Sequence, residues 1–274
     1  MTIRARTLWI GMATTSLVAV LIAAGFIVWL NQGPRRYTTM AELNSAINTA
    51  AGSVTSYRSV YTSDWQGDVP SHSRSEMVTQ RDGSGVRYQL TASFSSEGSP
   101  RREPTVVLVT PEGAWVSASV LSDSERASLP AGKSWIVVDP ASSLPLVKSY
   151  AETATRVRTR PVFESPFNDA YQILEAAKDQ LDGVRTYRYS LRRDLARAAE
   201  LEDNPTLKRF LEESVRDGEK TTDSRLWMDA EDRPLRTSAD LKTPGSRGVS
   251  ETRYSDWGAD FHIASPPADQ VWGG

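Results

Sequence analysis

Val86-Arg87-Tyr88-Gln89-Leu90-Thr91-Ala92-Ser93-Phe94 alternates apolar and polar residues along its whole length. Successive side chains of a β-strand point to opposite faces. Val86, Tyr88, Leu90, Ala92 and Phe94 therefore belong to one face, and Arg87, Gln89, Thr91 and Ser93 to the other. A strand with one apolar face and one wet face is the unit of an antiparallel sheet that is covered on one side. The apolar face then needs a second layer, and helices are its natural partners.

Working outward, such helices can be read on both sides. Thr39-x-x-Glu42 has capping-box spacing, and Met40, Leu43, Ile47 and Ala50 follow at helical intervals until Gly52. In the next strand Tyr57, Tyr61 and Trp65 share a face, with Ser59 and Ser63 between them. Ser71, His72 and Ser73 read as a polar loop, and residues 97–103 as a Ser/Pro/Arg-rich one. Thr105–Thr110 and Ala114–Val120 form a hairpin around Pro111-Glu112-Gly113. Ser134–Asp139 is a short strand, and Ser143–Glu152 a helix with Leu146, Val147 and Tyr150 inward. A further helix is expected from Asn168 to Leu181, with Ala170, Leu174, Ala177 and Leu181 on its apolar side and Gly183 as its stop. Tyr187, Tyr189 and Leu191 then share a strand face. Helix, Gly52, Tyr57-Arg58 and helix, Gly183, Tyr187-Arg188 make a weak internal echo, or a coincidence of two helix-to-strand junctions. Asp194–Glu202 is helix-compatible. Asn204-Pro205 opens a second piece with Leu207, Phe210, Leu211 and Val215 as its stripe. This piece is either a packed connector or a lid over a cavity mouth.

Leu8–Leu30 contains no charged residue. Its 23 residues would span roughly 34 Å as a helix, enough for a bilayer core of about 30 Å. Arg4 and Arg6 precede it, and Trp9 and Trp29 sit at its ends, as a cytoplasmic N-terminus and interfacial indoles require. Arg35 and Arg36 weaken the charge asymmetry. A cleaved signal peptide is the alternative, but the run is long and no small-x-small site follows Leu30. The expected organisation is 1–7 cytoplasmic, 8–30 a transmembrane signal anchor, 31–37 a linker, and 38–274 an extracytoplasmic domain at the cell membrane.

A formal net charge of −2 and a pI near 5.8 lack the basic footprint of a nucleic-acid partner. With no cysteine there is no disulfide, thiolate metal site or cysteine nucleophile. Arginine outnumbers lysine 26 to 6, a bias read here as genomic. The two histidines, His72 and His262, have neither metal-ligand spacing nor a neighbouring nucleophile. Asp229, Glu231 and Asp232 lack calcium-loop spacing and read as a charged hairpin turn. No phosphate loop, dinucleotide fingerprint, nucleophile elbow or zinc-protease motif occurs. No catalytic, metal or cofactor residue is assigned, and the chain is not read as an enzyme.

The C-terminal residues carry the most specific pattern. Arg225-Leu226-Trp227-Met228-Asp229 through Arg233-Pro234-Leu235-Arg236 reads as strand, acidic turn, strand. Thr252-Arg253-Tyr254-Ser255-Asp256-Trp257-Gly258 follows, then Ile263-Ala264-Ser265-Pro266-Pro267 and Val271. Gly258 permits a bulge or a close approach, and Pro266-Pro267 ends the last strand. This ending resembles the actinobacterial envelope lipoproteins related to the mycobacterial LppX/LprG lipid carriers, within the wider LolA/LolB-like group. The lipobox cysteine usual in that family is missing here. The resemblance implies an α+β fold: a single curved antiparallel sheet, an unclosed half-barrel, with helices on its concave face. It also implies a hydrophobic space between sheet and helices that accepts acyl chains.

The candidate lining of that space is Tyr88, Leu90, Ala92, Phe94, Tyr187, Tyr189 and Trp227, although a filled core would show the same alternation. The expected partners are the membrane and an acylated lipid, in envelope lipid handling. The alternative is a non-catalytic envelope sensor or protein-interaction module of the same fold, with an envelope protein as its partner. An uncharacterised hydrolase ranks third.

Overall fold

The computed structural model describes residues 34–67, 70–98, 103–142, 145–159, 162–163, 165–243 and 246–273. The apolar span Leu8–Leu30 lies outside them. Among the described residues no helix is long and apolar enough to cross a membrane.

Twelve strands form one sheet: β1 (Ser56–Gln66), β2 (Ser71–Asp82), β3 (Gly85–Ser96), β4 (Thr105–Thr110), β5 (Gly113–Ser117), β6 (Trp135–Val137), β7 (Tyr171–Leu181), β8 (Val184–Asp194), β9 (Thr221–Met228), β10 (Pro234–Thr243), β11 (Ser246–Ser255) and β12 (Val271–Trp272). Their order is β12-β6-β5-β4-β3-β2-β1-β11-β10-β9-β8-β7, so the sheet is open and β12 and β7 are its edges. The two halves of the chain meet where β1 pairs with β11. The helices are α1 (Met40–Gly52), α2 (Asp123–Ala127), α3 (Pro145–Thr159), α4 (Leu195–Leu201) and α5 (Pro205–Arg216).

The sheet is antiparallel except for one pair. β12 runs parallel to β6, with Val271 beside Trp135. A parallel partner needs a crossover, not a hairpin. Residues 259–270 supply it, running without strand structure over the outer face of β2–β6. Phe261 and Ile263 pack there on Val78, Leu108, Trp115 and Trp135. The segment around His262, expected as a strand, is thus an extended strap.

The expected helix from Asn168 to Leu181 is strand β7. Its register shifts between Ile173 and Glu175, which leaves Leu174 exposed and gives the apolar residues a false helical spacing. The glycine read as a helix stop belongs to a two-residue hairpin turn. Asp182 (φ 51°) and Gly183 (φ 84°) are both left-handed, the backbone of a type I′ turn. The helix-then-strand echo therefore dissolves in the second half.

α1 begins as its sequence requires. The Thr39 hydroxyl caps the Glu42 amide and the Glu42 carboxylate returns to the Thr39 amide. It buries Leu43, Ile47 and Ala51 against Tyr57, Tyr189, Leu191, Leu226 and Met228. Phe163 and Trp257 complete this core, meeting Tyr57 edge-on and stacked at 5.3 Å each. The segment before α1 is tied in as well: the Tyr37 amide donates to the Tyr189 hydroxyl (3.0 Å), which donates to the Arg35 carbonyl (2.9 Å). A second core joins Val147 of α3 to Val107, Val116, Leu121 and Ile136. Each helix that contributes to these cores lies on one face of the sheet.

The other face, from β1 across β11 to β7, is a lattice of cross-strand ion pairs. Arg58 pairs with Glu76, Arg236 with Glu251, and Arg192 with Asp223. The arginines first read as a compositional bias have this structural use.

Two glycines test this description. Gly183→Ala should cost about 1–2 kcal/mol, because a Cβ is strained in the left-handed region. Gly52→Ala, at a helical position with nothing near a Cβ, should gain about 0.5–1 kcal/mol. Urea unfolding of both variants checks the signs.

The buried phenols make a further test. Burial pushes Tyr88 and Tyr189 up to about 12, against about 10 in an unfolded chain. Burial and the neighbouring Tyr254 push Tyr57 further the same way. The folded chain keeps protons that the unfolded chain releases, so their contribution to stability is full below about pH 10 and is lost as pH rises through 10 to 12. Ellipticity and tyrosinate absorbance followed together should change in that window and not before it.

Candidate functional site

Strand register fixes which side chains lie under the helices. One row across the sheet reads Thr105, Ala92, Ser75, Tyr61, Thr252, Thr237, Leu226, Tyr189. The next reads Phe94, Ser73, Ser63, Ser250, Ala239, Ser224, Leu191, Ile173. From β3 to β9 this second row is Ser and Ala after Phe94. Small side chains do not reach the layer above them, and space is left between sheet and helices.

Among the described residues three cavities open on this face. The largest, about 650 Å³, lies over β1–β4 beside α3, with Tyr61, Ser73, Ser75, Ala92, Phe94 and Tyr150 among its walls. A second, about 560 Å³, lies between Tyr57, Met77 and Tyr88 below and Arg156, Val157, Val162, residues 165–168 and residues 201–204 above. A third, about 270 Å³, lies under α5 and is the most apolar. Trp65, Leu195, Leu211, Ala239 and Leu241 wall it, with Phe210 at its rim. The two larger volumes fall within the range of about 300–1,000 Å³ usual for small-molecule sites. Gly248 shapes the third: a Cβ there would lie 2.8 Å from Trp65 Cδ2, so the glycine lets the indole lie flat on the sheet.

α4 and α5 form the cover over this end. Asp194 caps the Arg197 amide and Asn204 the Leu207 amide, both through side-chain oxygens. α5 packs chiefly on α4. Its apolar stripe is only half used. Leu211 is buried, while Leu207, one turn earlier, and Phe210 beside it are 43% and 49% exposed. Phe94, at 61%, is the most exposed large apolar side chain among the described residues, and it too stands at a cavity wall.

The seven residues singled out from sequence are distributed as follows. Ala92 and Phe94 wall the largest cavity and Tyr88 the second. Leu90 lies between them on the same face, packed against the α3 core. Tyr187 and Tyr189 sit in the filled core around α1. Trp227 is on the opposite face, under the Arg236 guanidinium at 4.9 Å and donating to Asp179 at 3.1 Å. It leaves the candidate lining, because its strand position has the parity of Arg225 and not of Leu226.

Sequence reading missed Ser63, Ser73, Ser75, Ser250 and Ala239, the floor itself. His72, read as a loop residue, is on β2 with its ring Nδ1 2.6 Å from Asp64. The acidic turn is organised by buried Asp229, whose carboxylate accepts from the Glu231 and Arg233 amides and from the Arg233 guanidinium. No grouping of three metal-ligating side chains occurs among the described residues.

No family model matches the chain, and no curated protein matches it. Solved structures do. LprF from Mycobacterium bovis is 16% identical with a TM-score of 0.45, covering 84% of this chain and 99% of its own. The lipoprotein LppX from Mycobacterium tuberculosis is 13% identical with a TM-score of 0.45, covering 82% and 100%. A LolA superfamily protein from Nitrosomonas europaea is 13% identical with a TM-score of 0.29, covering 82% and 96%. At these identities and TM-scores the likenesses carry no weight for function, which must come from the geometry of this chain.

The largest cavity yields a direct test. Ala92→Trp places an indole in open space. It should shift the unfolding free energy by less than about 1 kcal/mol, where the same change in a packed core costs about 1–3 kcal/mol. Denaturant unfolding of the variant decides between space and packing.

Proposed function

We propose that this chain holds a hydrophobic ligand, an acylated lipid, between the helix-covered face of its sheet and the α4–α5 cover. The observation that carries the reading is the apolar cavity under α5, walled by Trp65, Leu195, Leu211, Ala239 and Leu241, with half-exposed Phe210 and Leu207 beside it. An amphipathic helix normally buries its whole stripe. Here half of the stripe is left for something else to cover. An acyl chain entering there would gain about 0.8 kcal/mol for each methylene removed from water. No bond is made or broken in this scheme.

We place the domain outside the cytoplasm, tethered by Leu8–Leu30. Support comes from the charge-free span and the arginines before it. The domain is tied to its own N-terminal segment through Tyr37, Arg35 and Tyr189. Four residues reach at most about 14 Å, so a span ending at Leu30 would hold Pro34 close to the membrane surface. N-terminal sequencing of the membrane-extracted chain tests the tether. The account expects Leu8–Leu30 to be retained, and a mature chain beginning after Leu30 would contradict it.

For the ligand, Ala239→Trp fills the apolar cavity from below. The full chain should take up a fluorescent acyl lipid, and Ala239→Trp should abolish most of that uptake with its melting temperature held. A wild type that takes up no lipid overturns the reading and leaves the exposed α4–α5 surface as a protein contact.

A further inference from the structure

We propose that the largest cavity, about 650 Å³ over β1–β4, is a binding site for an uncharged saccharide. The inference deepens the reading above, since it assigns a polar subsite beside the acyl one, but it stands on different residues and a different cavity.

The walls decide the chemistry. Tyr61, Ser73, Ser75, Thr105 and Tyr150, each carrying a hydroxyl, all line this space. None of the five has a side-chain hydrogen-bond partner among the described residues, in a protein where comparable groups nearby are satisfied. Ser119, on the same wall, donates to the Pro104 carbonyl at 2.9 Å, and Ser93 to the Arg74 carbonyl at 3.4 Å. An acyl chain laid across five free hydroxyls would strip each of water and return nothing. A saccharide carries hydroxyls that both donate and accept, and it can satisfy the whole set.

The aromatic side chains fit the same ligand. Tyr61 and Tyr150 bring rings to the walls, and Phe94 stands largely exposed at the edge. Sugar rings present apolar C–H faces, and aromatic rings are suitable platforms for them. Alternating apolar rings and hydroxyls match a molecule whose faces are apolar and whose rim is polar.

Charge narrows the class. Among the described residues the cavity has one acidic and one basic side chain, and both are engaged elsewhere. Glu103 pairs with Arg126 at 3.5 Å and Arg74 with Glu76 at 3.9 Å. Among the described residues no surplus cation remains in the lining for a phosphate or a carboxylate. Strand register gives the site its floor: Thr105, Ala92, Ser75 and Tyr61 are successive cross-strand neighbours, with Phe94 and Ser73 in the adjacent row. The third cavity, under α5, shares none of these residues.

The test uses the full chain in a detergent without a sugar headgroup, such as lauryldimethylamine oxide, so that the detergent does not compete. Maltotriose, cellotriose and mannotriose are the probes, and saturation-transfer NMR and calorimetric titration are the readouts. At least one probe should bind saturably. Thr105→Val and Tyr61→Phe, which remove one hydroxyl each with little change of shape, should weaken it by about tenfold, the effect of one lost hydrogen bond to a desolvated partner. Ala239→Trp should leave it unchanged. Equal melting temperatures show that the variants fold. Absence of saturable binding by any probe, or binding unmoved by both hydroxyl deletions, overturns the proposal. If saccharide is bound while acyl lipid is not, this site stands and the acyl reading falls. If lipid is taken up and no saccharide binds, the reverse holds.

Discussion

Leu43 and Ile47 of α1, fully buried against Tyr57, Tyr189, Leu191, Leu226 and Met228, make the contact on which the rest of this structure depends. An open sheet of twelve strands has one face too apolar to leave in water, and no closure to hide it. α1 fixes the helical layer over the half of that face formed by β1 and β7–β11. The aromatic packing of Tyr57, Phe163, Tyr254 and Trp257 holds the layer beside it, with ring centroids 5.3–6.2 Å apart. Around α1 the large residues of the sheet meet the helical layer. The row of Ser and Ala from β2 to β9 leaves space above it, and a further cavity remains over Tyr57, Met77 and Tyr88 beside that core.

The opposite face follows from the same constraint. No described helix packs into a core on it, and β1 and β7–β11 carry arginine–carboxylate pairs there. β2–β6 keep apolar residues there and are covered by residues 259–270 instead. That strap is why the chain ends beside β6 in a parallel pair, and why the C-terminal residues bear so specific a pattern. Trp257 is a core residue, Gly258 (φ 78°) donates its amide to the Ser56 carbonyl, and Ile263 closes the outer face.

The strands with apolar alternation were legible from sequence, and so were the helices with caps. Val86–Phe94 is the centre of β3, Thr39 and Glu42 cap α1, and Asn204 caps α5. β7 was not legible, because a bulge at Leu174 converts a period of two into an apparent period of nearly four. Asp182-Gly183 was the overlooked clue, since that pair favours a hairpin turn over a helix end. β2 was hidden for a more instructive reason. Ser71, Ser73 and Ser75 face the cavity side, where nothing packs on them, so the strand shows no apolar signature. Trp227 misled in the opposite sense, as an aromatic on a strand that serves the outer face. Sequence alternation reports packed faces, and an open site between sheet and helices is by its nature the part left silent.

The claim that the helix-covered face is built to hold a ligand is tested most directly by native mass spectrometry of the full chain purified from its own cells without denaturation. The account predicts a population heavier than the polypeptide by the mass of a lipid, lost in Ala239→Trp while the fold is kept. A chain that appears only at its polypeptide mass, in wild type and variant alike, would contradict it.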